Sequence, residues 1–224
     1  MLAHIVPNAL WHATQPLKFG PLALSTRMTV VRLRDGRLWV HSPIAPTPEL
    51  LAELAALGTV GFVVAPNKSH HLFFLPFMQA HPEAQGFVAA GLYAKRPDLR
   101  VFPQLAHPPP WGDELQGFFI EGLTVLDETV WFHAETGTLI VTDLLFCFSR
   151  QNRGLTAFVA TLLGVNGQLG MSRTMKLATR DKRSLARSVA PLLALPLERI
   201  VLAHDQIIED LPTEQLAQAF AWLR

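Results

Sequence analysis

Apolar residues along this chain fall into short runs separated by turn-forming residues, the rhythm of alternating strands and helices. The β-rich runs TVVRL (Thr29 to Leu33) and RLWVH (Arg37 to His41) flank Asp35-Gly36 and predict a hairpin. A helix follows, with Thr47 as its cap, Pro48 at its first position, Glu49 at its positive end and Gly58 just past its last turn. GFVVA (Gly61 to Ala65) reads as a fully buried strand and runs into the polar turn PNKSHH. LFFLPFMQA (Leu72 to Ala80) then predicts a core helix bent by Pro76, with Ser69 as its cap.

The next stretch is more broken. GFVAA (Gly86 to Ala90) predicts a short strand, Gly91 to Lys95 a helical turn, and HPPPW (His107 to Trp111) a stiff surface loop. LQGFFIEG, TVWFH and TLIVTDLLF follow, the last two joined through Glu135-Thr136-Gly137 as a second hairpin. Helices are predicted over Leu155 to Val165 and Lys182 to Leu195, a buried strand over Arg199 to Ala203, and a last amphipathic helix over Thr213 to Leu223. The order hairpin, helix, strand, helix thus recurs with one added helix. It predicts one mixed α/β domain over residues 1–224, with halves at about 20–110 and 115–224.

Composition narrows the class. Half of the 224 residues are apolar and 17% are charged, against roughly 25% in an average domain, so the chain can bury a large core and is not disordered. A formal charge of +1 gives no global field to hold DNA or an anionic membrane. The single cysteine, Cys147, excludes an internal disulfide and a Cys-rich zinc knuckle; its apolar neighbours in LLFCF predict a buried, structural thiol. The longest uncharged window, 154–172, breaks after Val165, too short to span a bilayer, and the N-terminus lacks the basic start of a secretory signal. A cytoplasmic protein is expected. The basic stretch Arg173, Lys176, Arg180, Lys182, Arg183 and Arg187 lacks aromatic stacking residues and reads as a solvated helix face.

Candidate chemistry lies where buried strands feed loops. The strand GFVVA ends in Pro66-Asn67-Lys68-Ser69-His70-His71, TLIVT ends at Asp143, and RIVLA ends at His204. Three imidazoles and a carboxylate are the donor set of a zinc or iron site. Asn67 could donate from its amide, and His41, at the end of the second hairpin strand, could face the same cavity.

The order of these motifs resembles the metallo-β-lactamase superfamily. The strings LWVHSPIAPTPEL, VVAPNKSHHLF, LIVTDL and IVLAH are similar to its uncharacterised branch, the domain of unknown function 4336, over roughly Pro21 to Leu223. The resemblance implies an αββα four-layer sandwich, two mixed sheets packed face to face with outer helices. The family's HxHxDH motif, laid on residues 66–71, is reduced to its last histidine, His71, with Pro66, Lys68 and His70 at the other ligand positions. Its PGH-like turn falls near Leu123, where only Gly122 matches. The losses fall on the positions of the first of the family's two metals. Those of the second (His70, His71, Asp143 and His204) can all still ligate. The implied protein holds one divalent metal, zinc before iron or manganese, whose bound water attacks an ester, thioester, lactone or related acyl substrate. Asp143 and Lys68 would be catalytic, Lys68 by orienting an anionic small molecule. The alternative is an inactive binding module of the same fold for an anionic small molecule or a protein partner.

Overall fold

The computed structural model describes residues 1–19, 22–105 and 109–224. The chain divides into two compact units, one of residues 1–15 and 26–115, the other of 16–25 and 116–224. One mixed sheet has the order β1 (Ala3–Val6), β2 (Leu10–Phe19), β3 (Leu22–Arg32), β4 (Leu38–His41), β5 (Val60–Ala65), β6 (Gln85–Val88). β3 and β4 form the first predicted hairpin, with Thr29 opposite His41 and Val31 opposite Trp39, and Gly36 turns the chain at φ 85°. β5 runs parallel to both β4 and β6. Such a strand needs apolar residues on both faces, and all six of its residues are buried.

Helix α1 (Pro48–Leu57) connects β4 to β5 and buries Leu50 and Leu54. Its start is as the sequence predicts: Thr47 Oγ1 accepts from Leu50 N at 3.3 Å, a cap worth about 1 kcal/mol. Helix α2 (Phe74–Ala80) differs from expectation. It begins two residues late, so Pro76 lies in the first turn, where the missing N–H has no intrahelical partner to lose, and Pro76 starts the helix instead of bending it. Ser69 does not cap it. Helix α3 (Leu92–Lys95) and a 3-10 turn over Pro97–Val101 close this part of the chain. Of the predicted surface loop, His107 and Pro108 lie outside the described residues. Trp111 is no surface residue: it is 4% exposed and packs edge-on against Phe62 and Phe87.

The other sheet has the order β11 (Ile207–Ile208), β10 (Arg199–Leu202), β9 (Thr138–Val141), β8 (Thr129–His133), β7 (Leu115–Phe119). β8 and β9 are the second predicted hairpin, antiparallel through Gly137 at φ 58°. β9 and β10 are parallel, with Val141 opposite Leu202. Helices α4 (Gly154–Leu163), α5 (Arg173–Ala178), α6 (Lys182–Val189) and α7 (Pro212–Ala219) belong to this unit. The predicted long helix over 182–195 becomes 3-10 at Ala190–Ala194, where Pro191 removes a donor. The basic stretch runs along α5, α6 and the turn between them, exposed except at half-buried Lys176, with the Lys176 and Lys182 ammonium groups 5.5 and 5.2 Å from the Trp222 ring. No helix among the described residues is long and apolar enough to cross a membrane.

Gly122, the one residue matching the PGH-like turn, has a steric role. At φ 77° its missing Cβ would stand 2.1 Å from the Asp181 carbonyl oxygen and 2.9 Å from Leu185 N, at the start of α6. Its own carbonyl accepts from Arg180 N and Asp181 N. Gly122→Ala is therefore expected to destabilise the fold by more than about 1 kcal/mol, measurable by urea unfolding.

Candidate metal centre

The β9–β10 register builds half of the site. Two residues beyond the paired Val141 and Leu202, Asp143 and His204 leave the ends of adjacent parallel strands together. Both are 7% exposed, and His204 Nε2 lies 3.3 Å from Asp143 Oδ1. His204 Nδ1 donates to the Ser25 carbonyl at 2.7 Å. A carbonyl only accepts, so that nitrogen holds a proton and Nε2 faces the carboxylate, as an acceptor in the neutral ring and as a donor in the imidazolium. Two acceptors at that distance call for positive charge between them, a proton or a metal ion.

Backbone geometry supports both residues. Asp205, directly after His204, has φ 58°, and its carboxylate accepts from Ser149 N and Asn152 Nδ2 at 2.9 and 2.7 Å. Asp143 is placed by a buried carboxylate that sequence reading does not reveal. Glu128, 1% exposed, accepts from Thr142 N, Asp143 N and Leu144 N at 2.8, 2.9 and 3.1 Å. Three consecutive amides held by one side chain leave the loop after β9 little freedom.

The turn after β5 separates two adjacent histidines. Asn67, fully buried, accepts through Oδ1 from Ser69 N and His70 N, both at 2.8 Å, so it shapes the turn. His70 Nδ1 is 2.7 Å from Ser42 Oγ, and Ser42 is itself held at φ 53°. His70, Asp143 and His204 each offer one ligand atom, and these atoms lie within 4.8 Å of one another. Donors on a tetrahedral ion at 2.0–2.2 Å stand about 3.4 Å apart, which the Asp143–His204 pair already meets. One nitrogen of each imidazole is held, His70 Nδ1 by Ser42 and His204 Nδ1 by the Ser25 carbonyl, which leaves Nε2 of each ring for a metal. The donor set fits one divalent ion.

His71 is not brought into this group. Arg96 Nη1 is 3.1 Å from His71 Nδ1 and can only donate, so the neutral ring keeps its proton on Nε2 and has no lone pair to spare. Burial first, then the Lys95 and Arg96 charges, lower its pKa to about 4. Burial likewise lowers that of His41 to about 3; this neutral ring stacks on Trp39 at 5.3 Å. Lys68, half-buried, accepts at its carbonyl from Lys95 Nζ at 2.7 Å.

Cys147 lies in the core and is 7% exposed; burial, then the Asp205 charge, push its pKa up to about 11. Alkylation of the native protein should be slow at pH 8, where about one thiol in a thousand is ionised, and speed up about tenfold per pH unit. A raised folded pKa also means that this thiol's contribution to stability is present below pH 9 and is lost as the pH rises toward 11. Rapid native labelling at pH 7 would contradict both statements.

Two mixed sheets with helices, and a histidine–aspartate–histidine group at the strand ends, define a protein of the metallo-β-lactamase fold. Solved structures agree: a metallo-β-lactamase from Pontibacter korlensis matches with TM-score 0.67 and 16% identity over 100% of this chain and 98% of its own. The DIM-1 metallo-β-lactamase exposed to ceftazidime matches with TM-score 0.65 and 10% identity, over 100% and 97%. The chain belongs to the family described as domain of unknown function (DUF4336), whose model matches residues 7–184. No protein of curated function matches it in sequence.

Proposed function

We propose that this protein is a one-metal acyl hydrolase, in which His70, Asp143 and His204 hold a single divalent ion. The carrying observation is His204: its Nδ1 proton is committed to the Ser25 carbonyl, so Nε2 is the nitrogen that faces the Asp143 carboxylate, at 3.3 Å, where a proton or a metal ion must join them. Two imidazoles and one carboxylate favour zinc, then iron or manganese. Such an ion supplies Lewis acidity toward a carbonyl oxygen and a water. The chain supplies the rest. Asp143 is the carboxylate of the site, because His70 stands where the family motif has aspartate; it accepts the proton released as water adds to the acyl carbon. The acyl–oxygen or acyl–sulfur bond then breaks and the leaving alkoxide or thiolate takes up that proton. Lys68, in the turn that carries His70, orients an anionic substrate by its charge.

The test begins with protein purified without a histidine tag, freed of metal with a chelator, then dialysed against zinc, iron(II) or manganese. One bound equivalent is expected, with hydrolysis of an ester, thioester or lactone in a substrate panel and a lower rate in Lys68→Ala at unchanged metal content. No bound ion would overturn the reading. Uptake without turnover across the panel would replace it by a non-catalytic binding module.

A further inference from the structure

The unit of residues 16–25 and 116–224 contains a cavity of about 150 Å³ that the proposed metal site does not use. Its walls are apolar: Leu24, Phe146, Phe148, Val159, Leu163 and Met175. Of the hydroxyls at its edge, Ser172 is already committed, 2.9 Å from Thr174 Oγ1 and capping α5 at Met175 N. The cavity adjoins the site through shared parts. Phe146 lines it and also stacks on the His204 ring, with centroids 5.8 Å apart and planes at 12°. Leu24 lines it, and the next residue, Ser25, holds His204 Nδ1. On its other side α4, which carries no charged residue, contributes Val159 and Leu163.

We propose that this cavity is an acyl-chain subsite, and that the substrate of the proposed hydrolase carries an unbranched apolar tail of up to about six carbons. This rests on the reading of the site as an acyl hydrolase. A cavity of this size with apolar walls accepts a six-carbon molecule such as benzene, and it offers a polar ligand little beyond the hydroxyls of Thr156, Ser172 and Thr174 at its edge. Phe146 carries the connection: a tail against its ring brings the carbonyl of the same molecule toward His204.

Metal-free protein isolates the subsite from the chemistry. Titration with 2-pentanone, 2-heptanone and 2-nonanone, followed by amide chemical shifts, should move Phe146, Ala160 and Met175. Affinity should rise about fourfold per methylene and level off once the tail exceeds about six carbons. Val159→Trp, which fills the cavity, should remove the length dependence. Met175→Ala, which widens it, should shift the plateau to longer tails and guards against a Val159→Trp variant that fails to fold. Affinity independent of length, or unchanged in both variants, would overturn the subsite. Zinc uptake, measured separately on the same proteins, reports on the metal centre alone, so failure of either reading is seen without the other.

Discussion

Glu128→Ala is expected to cost the folded state roughly 3–9 kcal/mol, because it leaves three buried amides without their acceptor at about 1–3 kcal/mol each. That is a large part of the 5–15 kcal/mol typical of a domain, so this variant can fail to fold. Glu128→Gln is the informative companion. It keeps one carbonyl acceptor but presents an NH₂ group to amides that now donate to a carboxylate, at Thr142 on one oxygen or at Asp143 and Leu144 on the other. It should fold, unfold at lower urea, and bind metal roughly 10–100-fold more weakly, the usual effect of losing a group that positions a ligand. Wild-type metal affinity in Glu128→Gln would show that Asp143 does not depend on this clamp.

The second large effect separates the histidines. His204→Ala and Asp143→Asn should each abolish uptake of one equivalent of zinc, whereas His71→Ala should leave it intact. In the wild-type protein, zinc at a hundred times its dissociation constant should add about 2.7 kcal/mol of stability, read as a rise in Tm that His204→Ala lacks. Zinc-dependent stabilisation that survives in His204→Ala but disappears in His71→Ala would reverse the assignment. The reason for expecting otherwise is Arg96, whose guanidinium occupies the only lone pair of the neutral His71 ring. Freeing that ring for a metal would require breaking this contact and placing a cation beside a guanidinium.

What the sequence determined was local. The Asp35-Gly36 hairpin, the Thr47-Pro48 start of α1, the strand over 61–65 and the strand after Leu197 are each written in a few consecutive residues: turn chemistry, a cap, an unbroken apolar run. The candidate residues Asp143 and His204 were legible for the same reason, as polar groups ending apolar runs. Where the determinant is not local, the sequence carries no such mark. β1 and β2 carry no clear signal, since Gln15 and Pro16 break the alternation begun by Trp11 to Thr14 and the strands exist through pairing with each other and with β3.

Tertiary structure decided the rest. Asp143 and His204 are 61 residues apart, and it is the parallel register of β9 and β10 that sets them 3.3 Å from each other. Glu128 carried no mark in the sequence, because its partners lie 14 to 16 residues along and are backbone amides. His70 and His71 are indistinguishable as neighbours in a string. Asn67 turns the backbone beneath them, Ser42 meets one ring and Arg96 the other, so what each ring is free to offer is decided by side chains that sequence separates by 25 residues or more.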